Sequence, residues 1–302
     1  MNPRIKGVIV PLLTPFDDQG SVDVAAVRRL VDFLIERGIK GLFPAGTTGE
    51  GPLLTKQERR QLAEAVVEAA AGRVPVIVHT GSITTKETID LTKHAQAIGA
   101  QAAAVIPPYF FHYHDQALYH HFVAVASAVS SFPIYLYNNP GVGGSILSLE
   151  LVTRLVEECA NIVGMKDSSG SLEMLTLLSY KYEGFNTTNG GDGQILMGAA
   201  SGIDACVSGN ANVVPELVVA LQQAAAEGKL EQARKLQQQM DQVRQLLEDG
   251  RDLAVFKGVL ARRGLPVGTV RRPLLQASEA VISERWQALS ALNVELSPLV
   301  YK

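Results

Sequence analysis

Short apolar runs and longer helical stretches alternate along the chain. The runs fall at 7–13 (GVIVPLL), 41–45 (GLFPA), 74–80 (VPVIVHT), 102–106 (AAAVI), 133–138 (PIYLYN), 162–166 (IVGMK), 185–189 (FNTTN) and 204–209 (DACVSG). Most are apolar nearly throughout, as strands are when helices cover both faces of a parallel sheet. Between them, apolar residues recur at helical spacing. Asp23 precedes VAAVRRLVDFLIERG, which ends at Gly38, a start and a stop of the expected kinds. Thr55 opens TKQE, a capping box with Glu58, and Ser148 opens SLELVTRLVEECA. Repeated βα units predict a (β/α)8 barrel, the TIM-barrel architecture. An open doubly wound sheet is the alternative, but no GxGxxG follows the first run.

After about residue 212 the pattern changes. Residues 215–302 read as wholly helical, with Gln- and Ala-rich stretches such as KLEQARKLQQQMDQVRQLLED. The expectation is a barrel over 1–225 and a C-terminal helical bundle over 226–302.

Composition narrows the function. Of 302 residues, 47% are hydrophobic and 19% charged, which is a globular balance. A net charge of −3 offers no basic surface for nucleic acid. No apolar run reaches the roughly 18–20 residues of a membrane span, and MNPRIKGVIV lacks a long apolar core and a small-residue cleavage site. Cys159 and Cys206 sit in apolar segments and make no disulfide framework, so a reducing cytoplasm is expected.

A barrel carries its site where the strands end, so the residues at which each run stops are the informative ones. They are GTTGE (46–50), YNNPGVGG (137–144), Lys166, NGGDG (189–193) and SGNAN (208–212). Lys166 closes IVGM. If it points inward, Gly164 shares its face and leaves room beside the lysine stem. An amine in a dry interior loses preference for its charged form, and a neutral amine forms a Schiff base with a ketone. A snorkelling lysine, or one paired with Asp167, is the plain alternative. Thr47 and Thr48 lie in a Gly-bounded turn suited to a carboxylate, or serve only as a cap. Tyr137, on the face of Tyr135, is a proton relay near an imine or an aromatic that fills the barrel. His112, His114, His120 and His121 follow no metal pattern and are expected to be structural, as is His79.

Taken together, GTTGE, PPY (107–109), YNNP, GMKDSSG and GGD, in this order and spacing, resemble the dihydrodipicolinate synthase / N-acetylneuraminate lyase family. AVFKGVLARRG followed by RRPL is similar as well, and the resemblance spans essentially the whole chain. It implies class I chemistry without metal or organic cofactor. Lys166 would form an imine with pyruvate, Tyr137 would move protons, and Thr47, Thr48 and Gly46 would hold the substrate carboxylate. Gly191 and Val207 would line the pocket through their backbone. The family is typically a homotetramer, a dimer of dimers. Two departures stand out. Synthases usually carry an arginine where Val142 stands, and a second tyrosine where Phe110 stands. Neither valine nor phenylalanine replaces the group lost. The expectation is therefore a Schiff-base aldolase or dehydratase acting on a sugar-derived 2-keto-3-deoxy acid. Val142 would leave room for its tail, and Asp192 and Ser208 would bind its hydroxyls. Condensation of pyruvate with aspartate semialdehyde is the alternative, and a non-catalytic 2-oxo-acid-binding barrel is the alternative of another class.

Overall fold

The computed structural model describes residues 4–292 and residue 294; the end of the expected C-terminal bundle lies outside the described residues. Its strands are β1 (Gly7–Pro11), β2 (Gly41–Phe43), β3 (Ile77–His79), β4 (Ala102–Val105), β5 (Ile134–Asn138), β6 (Ile162–Asp167), β7 (Asn186–Asn189) and β8 (Ala205–Val207). Each falls within or one residue beyond an expected run. They pair in parallel in the order β2-β1-β8-β7-β6-β5-β4-β3. The ring closes between β2 and β3 through a Leu42–Val76 bridge, with the Pro44 carbonyl accepting from His79 N–H at 3.1 Å. The fold is the expected (β/α)8 barrel.

Side-chain alternation sorts the apolar residues into two cores. Val8, Val10, Leu42, Val78 and Leu136 face the helices, while Ile9, Phe43, Ile77, Tyr135 and Tyr137 fill the barrel. The helix signals act as read. Asp23 accepts from Ala26 N–H, Ser148 accepts from Leu151 N–H, and Thr55 and Glu58 complete a reciprocal box. β7 is the exception to apolar strands, since Asn186, Thr187, Thr188 and Asn189 are all buried. Asn186 uses its whole amide: Oδ1 accepts from Ile5 N–H and Tyr135 O–H, and Nδ2 donates to Ile5 O and Asp204. Buried polar groups need such full pairing.

β6 contains an irregularity that the sequence pattern hides. Ile134 pairs with Ile162, but Tyr135 pairs with Gly164, leaving Val163 unmatched. Counting alternation from Ile162 would turn Lys166 outward. Val163 lies in the inner core, and the bulge resets the phase after it so that Lys166 also faces inward. Gly164 is expected to leave room beside the lysine stem, but a side chain there would first meet the Tyr135 ring and the Asn186 carbonyl. A Cβ there would lie 2.5 Å from Tyr135 Cε1 and 2.6 Å from Asn186 O. The glycine makes room for the tyrosine ring on the neighbouring strand.

Past the barrel, helices run over Pro215–Ala226, Leu230–Leu246, Leu253–Arg262 and Glu279–Ala291. The wholly helical stretch expected over 215–302 is interrupted over 265–278, where no helix forms. Gly264, Pro266, Gly268 and Pro273 break the pattern, and the segment returns to the barrel, with Val267 O accepting from Phe16 N–H. Both cysteines are free and buried.

Two consequences can be measured. Gly164→Ala overpacks the strand interface and should lower stability in urea by about 1–3 kcal/mol; unchanged stability would show that the Tyr135 ring yields freely. His121, buried beside Thr85 at 2.9 Å, is pushed down by burial from 6.5 to about 4. Between those pH values the unfolded chain takes a proton that the folded chain refuses. Stability should fall as pH drops from about 6.5 to about 4, by up to about 1.4 kcal/mol per pH unit from this residue. His121→Gln should flatten that slope in denaturant titrations, and an unaltered slope contradicts the assignment.

Candidate active site

Lys166 reaches into the barrel mouth between two strands, with Tyr137 on β5 and Thr188 on β7 as its register partners. It is 7% exposed. Its Nζ lies 3.9 Å from the centre of the Tyr137 ring and 4.8 Å from that of Phe43. Asp167 faces the other way, accepting from Asn138 Nδ2 and Ser169 N–H. Among the described residues no carboxylate comes within ion-pair distance of Lys166. The amine is thus held by aromatic faces, which attract a cation through their quadrupoles.

Tyr137 is buried. Its oxygen accepts from Asn139 Nδ2 at 2.9 Å and lies 3.4 Å from Thr47 Oγ1. Burial alone would raise the phenol's pKa, but the Lys166 charge and the hydrogen bonds from Thr47, Asn139 and Lys166 outweigh it. The phenol sits below its usual value, which eases loss of its proton. Thr47 is exposed at the mouth and Thr48 half-buried. Their turn is closed by Glu50 N–H to Thr47 O and Gly51 N–H to Gly46 O, both at 3.0 Å. Gly46 is tight against Phe43, since a Cβ there would lie 2.9 Å from Cε1. Thr48 reaches toward the β8 loop, its Oγ1 3.8 Å from where a Cβ of Gly209 would stand.

The turn is anchored from beneath. Glu50 and Lys257 form an ion pair at 2.7 Å with side chains 0% and 1% exposed. Lys257 also donates to the Thr14 and Thr269 carbonyls, and Glu50 accepts from Arg271 N–H. Arg271 in turn forks onto both oxygens of Glu58, and this bond, ahead of burial that works the other way, holds the Glu58 carboxyl down at about 2. Sequence reading missed Glu50, Lys257 and Arg271, the first of which lies more than 200 residues from the other two; their one signal was charge inside otherwise apolar or turn segments.

On the β7–β8 side, Asp192 Oδ2 accepts from Asn210 Nδ2 at 2.5 Å, and the carboxyl also bonds Ser208. Burial, only partly offset by these bonds, raises the Asp192 carboxyl above its usual value. Its Oδ1 is buried without a hydrogen bond among the described residues. Ser208 is buried and accepts from Ala211 N–H. Gly191 has its N–H and C=O both taken by the Asn189 amide, and Val207 ends β8 facing inward. Asn139, Asn189 and Asn210 are thus structural partners that the sequence reading did not single out. Val142 sits on the short turn Pro140–Gly143 and is 53% exposed. Phe110 is 84% exposed at φ +87°. The four clustered histidines diverge to separate partners: Gly144 O, Ala117 N–H, Gln116 and Thr85.

Comparison with known proteins agrees across the chain. The sequence profile of the dihydrodipicolinate synthetase family matches residues 4–292. The 4-hydroxy-tetrahydrodipicolinate synthase of Rhizobium meliloti is 38% identical over 280 residues, 92% of this chain and 95% of that protein. The crystal structure of dihydrodipicolinate synthase from Aquifex aeolicus superposes with a TM-score of 0.90 at 32% identity, covering 98% of this chain and 100% of that one. A prophage protein of the dihydrodipicolinic acid synthase family from E. coli K12, solved in complex with pyruvate, gives 0.90 at 30% identity, over 96% and 99% of the two chains.

The anchor beneath the turn can be tested separately from the chemistry. Removing one partner of a buried ion pair strands the other charge, so Lys257→Met should lose about 3–5 kcal/mol of unfolding free energy. Adding Glu50→Gln should recover part of that loss. A double variant no more stable than Lys257→Met alone would show that the charge itself is not the source.

Proposed function

Because the chain belongs to the dihydrodipicolinate synthetase family, whose members are class I pyruvate-dependent enzymes, we propose that Lys166 forms an imine with pyruvate and that the resulting enamine condenses with aspartate semialdehyde. The observation that carries this is the geometry around Lys166: a buried amine without a carboxylate, 3.9 Å from the Tyr137 ring. The lysine nitrogen attacks the ketone carbon, and the ketone oxygen leaves as water. Thr47 and Thr48 hold the pyruvate carboxylate with hydroxyl and backbone N–H groups. The faces of Tyr137 and Phe43 favour the protonated imine that forms between them. Tyr137 carries protons to and from the reacting atoms, with Thr47 and Asn139 fixing its oxygen. Loss of a methyl proton gives the enamine, which attacks an aldehyde carbon.

The choice of aldehyde rests on the relatives, named for the synthase reaction at up to 38% identity. They support this reading more strongly than the sugar-acid substrate expected from the sequence. One observation favours that second reading, cleavage or dehydration of a 2-keto-3-deoxy sugar acid. Val142 and Phe110 stand exposed where an arginine and a second tyrosine would serve the synthase. Asp192 and Ser208 would then meet the sugar hydroxyls. A homotetramer belongs to the same proposal, supported by exposed Phe110 and Phe111 beside the mouth. So does a cytoplasmic location, supported by two unpaired cysteines. No described helix is long and apolar enough to cross a membrane.

Borohydride added with pyruvate should fix a stable adduct on Lys166, seen by mass spectrometry of the peptide and absent in Lys166→Ala. No adduct on the wild-type chain refutes the imine. Assayed side by side, aspartate semialdehyde should be consumed with pyruvate at least about tenfold faster than any 2-keto-3-deoxy sugar acid is broken down, a gap of about 1.4 kcal/mol in barrier. The reverse order establishes the second reading.

A further inference from the structure

We propose that His79 is a positioning residue for Lys166, its Nε2 lone pair, unpartnered beside the free amine, accepting the N–H of the lysine nitrogen once the protonated imine forms; the inference rests on the Schiff-base reading above. His79 ends β3, is 6% exposed and shares the inward face of Ile77. Its Nδ1 lies 3.0 Å from Ala45 O and 3.3 Å from Arg59 Nη2. A carbonyl only accepts and a guanidinium only donates, so one ring nitrogen cannot serve both. Arg59 has better acceptors, giving Nη2 to His79 O at 2.8 Å and Nη1 to Gly81 O at 3.0 Å. The nearer carbonyl therefore takes the Nδ1 proton, and Nε2 is left as a bare acceptor.

That acceptor is buried and has no hydrogen-bond partner among the described residues. Native interiors rarely leave such an atom unused. Nε2 lies at the tip of an inward-pointing ring, away from the strand. The ring stands edge-on to Tyr137, centroids 5.7 Å apart, and 6.0 Å from Phe43. The same two rings flank Lys166 Nζ. Histidine and lysine thus share one aromatic box, and Lys166 is the donor in it that has no carboxylate. The Tyr137 oxygen is already shared among Asn139, Thr47 and Lys166, which leaves His79 Nε2 as the unused acceptor of the box. Burial, then the charges of Arg59 and Lys166, hold the imidazole well below its ordinary value, so it stays neutral and its lone pair stays available.

Imine formation consumes one amine proton and one further proton, which leave with the ketone oxygen as water. The protonated imine keeps a single N–H. An acceptor fixed at Nε2 holds that N–H, and with it the plane of the imine, while the methyl proton departs.

The test compares wild type, His79→Leu and His79→Gln. The readouts are the rate of borohydride-trapped imine at saturating pyruvate and the pyruvate concentration for half-saturation. His79→Leu should trap about tenfold or more slowly, the scale of a hydrogen bond to a charged group, with half-saturation little changed. His79→Gln, whose amide oxygen can accept, should recover much of the rate. Equal loss in both variants, or no loss in His79→Leu, overturns the positioning role while leaving the imine intact. Absence of a wild-type adduct overturns both. Histidine 15N NMR of the wild-type protein gives a readout that needs no variant. Nε2 of His79 should be proton-free and should shift when pyruvate binds, and a protonated Nε2 refutes the proposal.

Discussion

The turn that presents Thr47 and Thr48 depends on a charge pair that never meets water. Glu50 and Lys257 touch at 2.7 Å, both essentially without exposure. Dehydrating two charges is expensive, and their attraction repays it only when every remaining polar atom is also satisfied. Here the Thr14 and Thr269 carbonyls and the Arg271 N–H supply what is missing. The pair therefore joins the β1 loop and the β2 loop to a distant C-terminal stretch made of the helix Leu253–Arg262 and the segment that follows it. The C-terminal region is part of the barrel mouth's support, and the position of Thr47 beside Tyr137 is set partly by residues more than 200 positions away.

Much of this architecture is legible in the chain because buried parallel strands write themselves as apolar runs. All eight strands and the Asp23, Thr55 and Ser148 starts follow from local pattern. Lys166 and Tyr137 stand out for the same reason, polar ends on apolar strands. Long-range geometry is not local pattern. The Val163 bulge depends on how β6 pairs with β5, and the reason for Gly164 depends on a ring from the adjacent strand. The break over 265–278 was written in its glycines and prolines, but the strong helical repeat on either side masks it. His79 looked structural because one nitrogen is; only the tautomer imposed by Ala45 and Arg59 exposes the other.

The residues proposed for the shared chemistry and those proposed for substrate choice sit on different parts of the fold. Lys166, Tyr137, Phe43 and His79 are fixed on strands or their ends, where neighbouring backbones hold them. Val142 and Phe110 are on exposed turns. Strand-borne residues can stay constant while loop residues vary. On the proposed reading, this division lets a chain match synthases over nearly its whole length yet differ from them at the loop positions proposed to receive the second substrate.

The cysteines have a practical side. Burial raises the thiols of both Cys159 and Cys206, and neither forms a disulfide. A thiol reacts as the thiolate and only when reagents can reach it. The folded protein is therefore nearly silent toward maleimides and similar labels. A cysteine introduced at Val142 would be the prominent reactive thiol, and a fluorophore there would watch the mouth of the barrel fill and empty in real time.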